Sequence, residues 1–128
     1  MAEETTSSAT SGLEPNIAGL LSYLFGWISG LIFLLIDKRS FVRFHAAQAI
    51  GLTLGAVVVF IVFGVIAFVL TIVTTMLGFP IGILTFFLYP LIMFGIFGIH
   101  IFCMYKAFKN EKFKVPVIGN IVEKMVGA

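Results

Sequence analysis

The side chains in this sequence that could do chemistry are few, and they cluster toward the ends of apolar stretches. Arg43, His45 and Gln48 fall within six residues, and His45 and Gln48, three apart, share one face if that stretch is helical. His100 and Cys103 lie one turn apart near the end of a later apolar run. Two histidines and a thiol are ligand types that suit zinc. Their scattered spacing argues instead for hydrogen bonds between helices, since an unpaired polar group in an apolar environment is costly. Arg43 is expected to pair with Asp37 or with a lipid phosphate. Cys103 reads either as an acylation site or, more in keeping with its size, as a small buried residue. No phosphate-binding glycine loop is present, and no nucleophile has a base and an acid nearby, so the chain reads as non-enzymatic, with no cofactor and no resident metal.

The elements that must position these residues are membrane helices. Sixty percent of the 128 residues are hydrophobic and 11% are charged, against about 25% charged in a soluble domain. From Ala46 to Tyr105 there is no Asp, Glu, Lys or Arg. Each such charge at the centre of a membrane helix costs about 2.5–3.5 kcal/mol, so lipid burial explains the gap. The apolar pattern predicts an all-α integral membrane protein, a three-helix bundle with spans near 16–36, 50–73 and 83–105. Residues 41–48 are expected to lie in the interface ahead of the second span. Gly78, Phe79 and Pro80 supply the turn, and Pro90 a kink. Residues 1–14 read as a disordered acidic tail without the basic start of a signal peptide. Residues 106–128 read as a basic, amphipathic tail in which Ile118, Ile121, Val122 and Met125 recur at helical spacing.

Small residues recur at four-residue intervals, Ser22, Gly26 and Gly30 on the first run, with Gly19 and Ser29 on the same side, and Ala47, Gly51 and Gly55 on the second, while Gly95 and Gly98 are near neighbours on the third. Such stripes let helix backbones approach closely, either within one chain or between copies. The basic residues fall at 38–43 and at 106–124, and with three spans these share a side. The positive-inside rule makes that side the cytoplasm and places the N-terminus outside a multi-pass cell-membrane protein. Lys106, Lys109, Lys112 and Lys114 are candidates for anionic lipid headgroups, at about 1 kcal/mol each. No nucleic-acid partner is expected.

Three local patterns carry a resemblance: NIAGLLSYL over Asn16–Leu24 followed by Gly26 and Trp27, FVRFHAAQAI over Phe41–Ile50, and Tyr105–Phe108 with EKFKVPVIG over Glu111–Gly119. On these the chain resembles a family of small bacterial and archaeal membrane proteins related to the chloroplast inner-envelope protein-import component. The resemblance implies a helical membrane protein and fixes no activity. Two expectations follow. The first is a non-enzymatic protein that works by helix–helix assembly, as a homo-oligomer or an accessory subunit of a membrane complex. The alternative is an oligomeric channel or translocation component.

Overall fold

The computed structural model describes residues 10–127, so most of the tail expected over 1–14 lies outside the described residues. Five helices follow in order: α1 Pro15–Leu24, α2 Trp27–Ile36, α3 Ser40–Met76, α4 Gly82–Phe108 and α5 Ile118–Val126. The chain divides into two compact units. One, the terminal unit, joins the residues up to Leu54 with those from His100 onward; the other, the central unit, is Gly55–Ile99.

In the terminal unit the first apolar run is not one span. It breaks at Phe25–Gly26 into two ten-residue helices, each about 15 Å long. Gly26 takes a φ of +62°, which favours glycine over residues with a Cβ. Ser29 repairs the break, its hydroxyl accepting from the Phe25 N–H at 3.0 Å and donating to the Ser22 carbonyl at 2.8 Å. The two helices then fold back on each other. Ser11 donates from its backbone N–H and its hydroxyl to Asp37 Oδ2 at 3.2 and 2.9 Å. In one straight helix those residues would stand almost 40 Å apart. The run therefore starts and ends at the same place. Where one helix was expected over 16–36 the structure has a short helical hairpin, and the described residues do not clearly form a three-helix bundle.

α3 and α4 are the two helices long and apolar enough to cross a membrane. Their 37 and 27 residues correspond to about 55 and 40 Å, against a hydrocarbon core of about 30 Å. The interfacial stretch expected over 41–48 is an unbroken part of α3, and it is buried: Val42, Phe44, His45, Ala46, Ala47, Gln48 and Ala49 all pack inside the terminal unit. α1 and α2 close on this part of the helix. A Cβ on Gly30 would sit 2.7 Å from the Ala46 carbonyl oxygen, and one on Gly19 would sit 3.1 Å from the Phe41 ring and 3.3 Å from Ala107. α5 covers another side, so that a Cβ on Gly51 would meet Ile118 at 2.8 Å.

The central unit is an antiparallel pair made of the later part of α3 and the earlier part of α4. The turn is a Schellman-type cap: Gly78 has φ +88°, and the Phe79 N–H bonds the Thr74 carbonyl at 2.7 Å. Tyr89 stacks on Phe60 with ring centroids 6.1 Å apart and meets Phe63 edge-on at 5.0 Å. Its hydroxyl lies 2.8 Å from where a Gly64 Cβ would be. Pro90 sits inside α4. Ala67 is the one buried hydrophobic residue of this unit.

Candidate functional site

The terminal unit holds a buried polar network on the N-terminal part of α3. Tyr23 from α1, His45 and Gln48 are each 1% exposed or less. The Tyr23 hydroxyl and His45 Nδ1 are 2.7 Å apart, and His45 Nε2 lies 3.1 Å from the Glu111 carbonyl. A carbonyl can only accept, so the proton belongs on Nε2. Nδ1 then accepts from Tyr23, whose oxygen accepts in turn from Gln48 Nε2 at 2.9 Å. The second Gln48 amide proton goes to the Phe113 carbonyl at 2.9 Å, and its Oε1 accepts from the Val115 N–H at 2.9 Å.

Gln48 thus grips the extended segment after α4 as a neighbouring strand would, taking one carbonyl and the N–H two residues on. The segment then turns sharply. A Cβ on Gly119 would lie 2.6 Å from Lys114 Cα and 2.9 Å from Gln48 Oε1, so a residue without a Cβ is required there. The three patterns that carried the resemblance meet here: Tyr23 from the first, His45 and Gln48 from the second, the gripped segment and Gly119 from the third.

A second polar group clasps the foot of the α1–α2 hairpin. Asp37 Oδ1 accepts from Arg39 Nε at 3.0 Å, and Oδ2 from Arg39 Nη2 at 2.6 Å. The two side chains are 0% and 3% exposed. Arg39 Nη2 also donates to the Leu13 carbonyl at 2.7 Å, and Asn16 Nδ2 donates to the Phe108 carbonyl at 3.2 Å. Burial opposes the charge on Asp37, but the bonds from Arg39 and Ser11 outweigh it and hold the carboxyl below its usual range. Among the described residues no buried side-chain nitrogen or oxygen lacks a partner.

Of the polar residues grouped from the sequence, His45 and Gln48 both bond the Tyr23 hydroxyl. His100 meets the Tyr23 ring edge-on, centroids 6.5 Å apart. Arg43 does not pair with Asp37, which Arg39 has taken. It donates to the Leu34 carbonyl at 3.3 Å. The described residues contain no group of three His, Cys, Asp or Glu placed to hold a metal. Of the small residues, Gly19, Gly30 and Gly51 are filled against neighbours, Gly26 makes the break, and Ser22 donates to the Ala18 carbonyl at 2.8 Å. Ala47 is buried with Phe44 and Val122, whereas a Cβ on Gly95 or Gly98 would meet nothing within 4 Å. Gly55 is half-buried.

Lys106 pairs with Glu111 at 2.7 Å, and Lys112 and Lys114 with Glu123 at 2.7 and 3.3 Å. Lys109 sits 5.8 Å over the Tyr105 ring. Hydrogen bonds from Lys112 and Lys114 hold the Glu123 carboxyl below its usual range.

Sequence reasoning missed Tyr23, Ser11, the bridging role of Ser29 at the helix break and the Asp37–Arg39 pair. Tyr23 carried a signal, being four residues from the crowded Gly19 on the same helical face. Ser11 carried none, since its partner is 26 residues away.

The network fixes helices to one another and exposes no nucleophile. Residues 3–122 match the model of one protein family. The chain belongs to the magnetosome magnetite crystal formation protein family. It is 44% identical over 114 residues to a UPF0132 membrane protein of Methanocaldococcus jannaschii, covering 88% of this chain and 89% of the relative. A UPF0132 membrane protein of Archaeoglobus fulgidus is 39% identical over 116 residues, with 90% and 98% covered. A second M. jannaschii member is 36% identical over 114 residues, with 88% and 71% covered. No solved structure matches the chain. These relatives support the small prokaryotic membrane-protein family, and this chain is a membrane protein. They give no support to a relation with chloroplast import.

Proposed function

We propose that this family member is a non-enzymatic cell-membrane protein with two spans, α3 and α4, and a re-entrant α1–α2 hairpin. It acts by assembly, as a homo-oligomer or an accessory subunit of a membrane complex. Both termini then lie in the cytoplasm with the basic residues at 38–43 and 106–124, as the positive-inside rule prefers. The observation that carries assembly is the contrast among the glycines. Gly19, Gly30 and Gly51 are filled by the chain's own atoms, whereas Gly95 and Gly98 leave open backbone on a span. Open backbone of that kind suits the close approach of another helix.

A pore is less well supported. The hydroxyls of Thr74 and Thr85 are spent on the Leu70 and Gly82 carbonyls of their own helices, leaving little to line a water path. A mineral-forming role, suggested by the family's name, would call for acidic side chains on the loop between the spans, and residues 77–81 are Leu, Gly, Phe, Pro and Ile. The lysines near 106–114 are proposed to meet anionic headgroups with whatever charge their carboxylate partners leave.

The test is the double variant Gly95→Leu, Gly98→Leu, crosslinked in native membranes and run on native gels. Assembly through this face predicts loss of the higher species with monomer yield unchanged. Undiminished association would refute it.

A further inference from the structure

A groove of about 480 Å³ runs along α3 within the terminal unit. Its floor extends from Arg43 through Ala47 to Leu54, with Leu34 of α2 on one side and Ile121 and Met125 of α5 on the other. Arg43 is the one charged residue lining it, and it stands at one end. Leu54 stands eleven positions further along α3, about 16 Å away. Beyond the guanidinium the walls are apolar. Leu54, Ile121 and Met125 remain 61%, 52% and 78% exposed, so apolar surface is left to be covered.

Arg43 has capacity to spare. A guanidinium carries five N–H donors. One reaches the Leu34 carbonyl, a C-terminal carbonyl of α2 that needs a donor. No carboxylate among the described residues pairs with it. Asp37 is held by Arg39 and Ser11, Glu111 by Lys106, and Glu123 by Lys112 and Lys114. A second copy of this chain would bring the same committed acids, leaving Glu14 as its unpaired candidate among the described residues. An anionic phospholipid brings a phosphate for the guanidinium and a chain for the trough behind it.

We propose that this groove is a binding site for one anionic phospholipid, its phosphate on Arg43 and an acyl chain lying along Ala47 to Leu54 beneath α5. The site differs from headgroup contact by the surface lysines in requiring both a cation and an apolar channel.

Native mass spectrometry of the delipidated full chain, offered phosphatidylglycerol or phosphatidylcholine at equal concentration, tests this. One phosphatidylglycerol should be retained per chain, about tenfold over phosphatidylcholine, in keeping with a charge-assisted guanidinium–phosphate contact. Arg43→Gln should bring the two lipids level, and Arg43→Lys should restore part of the preference. Leu54→Trp, which fills the exposed end of the trough, should weaken both lipids. Excess inorganic phosphate should leave the lipid bound. An Arg43→Gln protein that melts like wild type yet keeps the preference would overturn the proposal. So would a preference abolished by Lys106→Gln with Lys109→Gln, displacement by phosphate alone, or a lipid-free dimer lost on Leu54→Trp.

Discussion

The two ends of α3 obey different rules although one helix contains both. From Val42 to Leu52 almost every side chain is buried, polar ones included, and each buried polar atom has its partner. From Leu54 to Met76 most side chains are exposed and apolar, the others are half-buried, and Ala67 alone is buried. The first stretch belongs to a unit with a protein-like core, where a missing partner is expensive. The second belongs to a pair of helices whose apolar surface suits lipid. Apolar composition alone cannot separate the two, because both stretches lack an internal charge after Arg43. What separates them is the presence of Tyr23, His45, Gln48 and the C-terminal segment to fill hydrogen bonds.

Substitutions should divide along this line. Asp37→Ala takes the carboxylate away from the buried Arg39 guanidinium and should destabilise the terminal unit most, by about 3–5 kcal/mol, read as a lowered melting temperature in detergent. Acid should act on the same group. Because its folded pKa is lowered, its contribution is complete above the ordinary carboxylate range and is lost as pH falls through the folded value. Thermal stability should therefore hold through mildly acidic pH and fall only below it, and Asp37→Asn should flatten that fall. Gln48→Ala orphans the Val115 N–H and the Phe113 carbonyl, at about 2–3 kcal/mol, and should speed hydrogen exchange at Val115 before α1 loosens. Gly119→Ala must displace Lys114 and should cost about 1–3 kcal/mol, detected as easier proteolysis after Lys112 or Lys114. In the central unit, Phe68→Leu changes a side chain that faces outward and should shift the melting temperature by no more than about 0.5 kcal/mol implies. A large effect there would break the comparison and point to a protein partner on that surface.

Much of the architecture was legible in the sequence. The charge-free stretch gave the two long helices, Gly78 their turn, and the spacing of Ile118, Ile121 and Val122 the final amphipathic helix. That His45 and Gln48 share a helix face followed from their spacing; that both bond the Tyr23 hydroxyl did not. The fold-back of the first run was not legible, because its length and hydropathy equal those of a true span. Its evidence lies in long-range contacts: Ser11 with Asp37, Arg39 with Leu13, and a Gly26 φ that no composition reveals. Asp37 itself was visible, but with Lys38, Arg39 and Arg43 all near, the sequence offered several partners and no geometry to choose Arg39. The glycine stripes were visible as well, and only the surrounding side chains separate filled Gly19, Gly30 and Gly51 from open Gly95 and Gly98.

The proposed topology rests on the fold-back, and cysteine labelling in sealed vesicles tests it. In a Cys103→Ala background, single cysteines replace Thr10, Phe79 or Lys124, and a membrane-impermeant maleimide is added from one side at a time. A re-entrant first run predicts that Thr10→Cys and Lys124→Cys label from the same side and Phe79→Cys from the other. Labelling of Thr10→Cys together with Phe79→Cys would mean that the first run crosses the membrane, and would contradict the account.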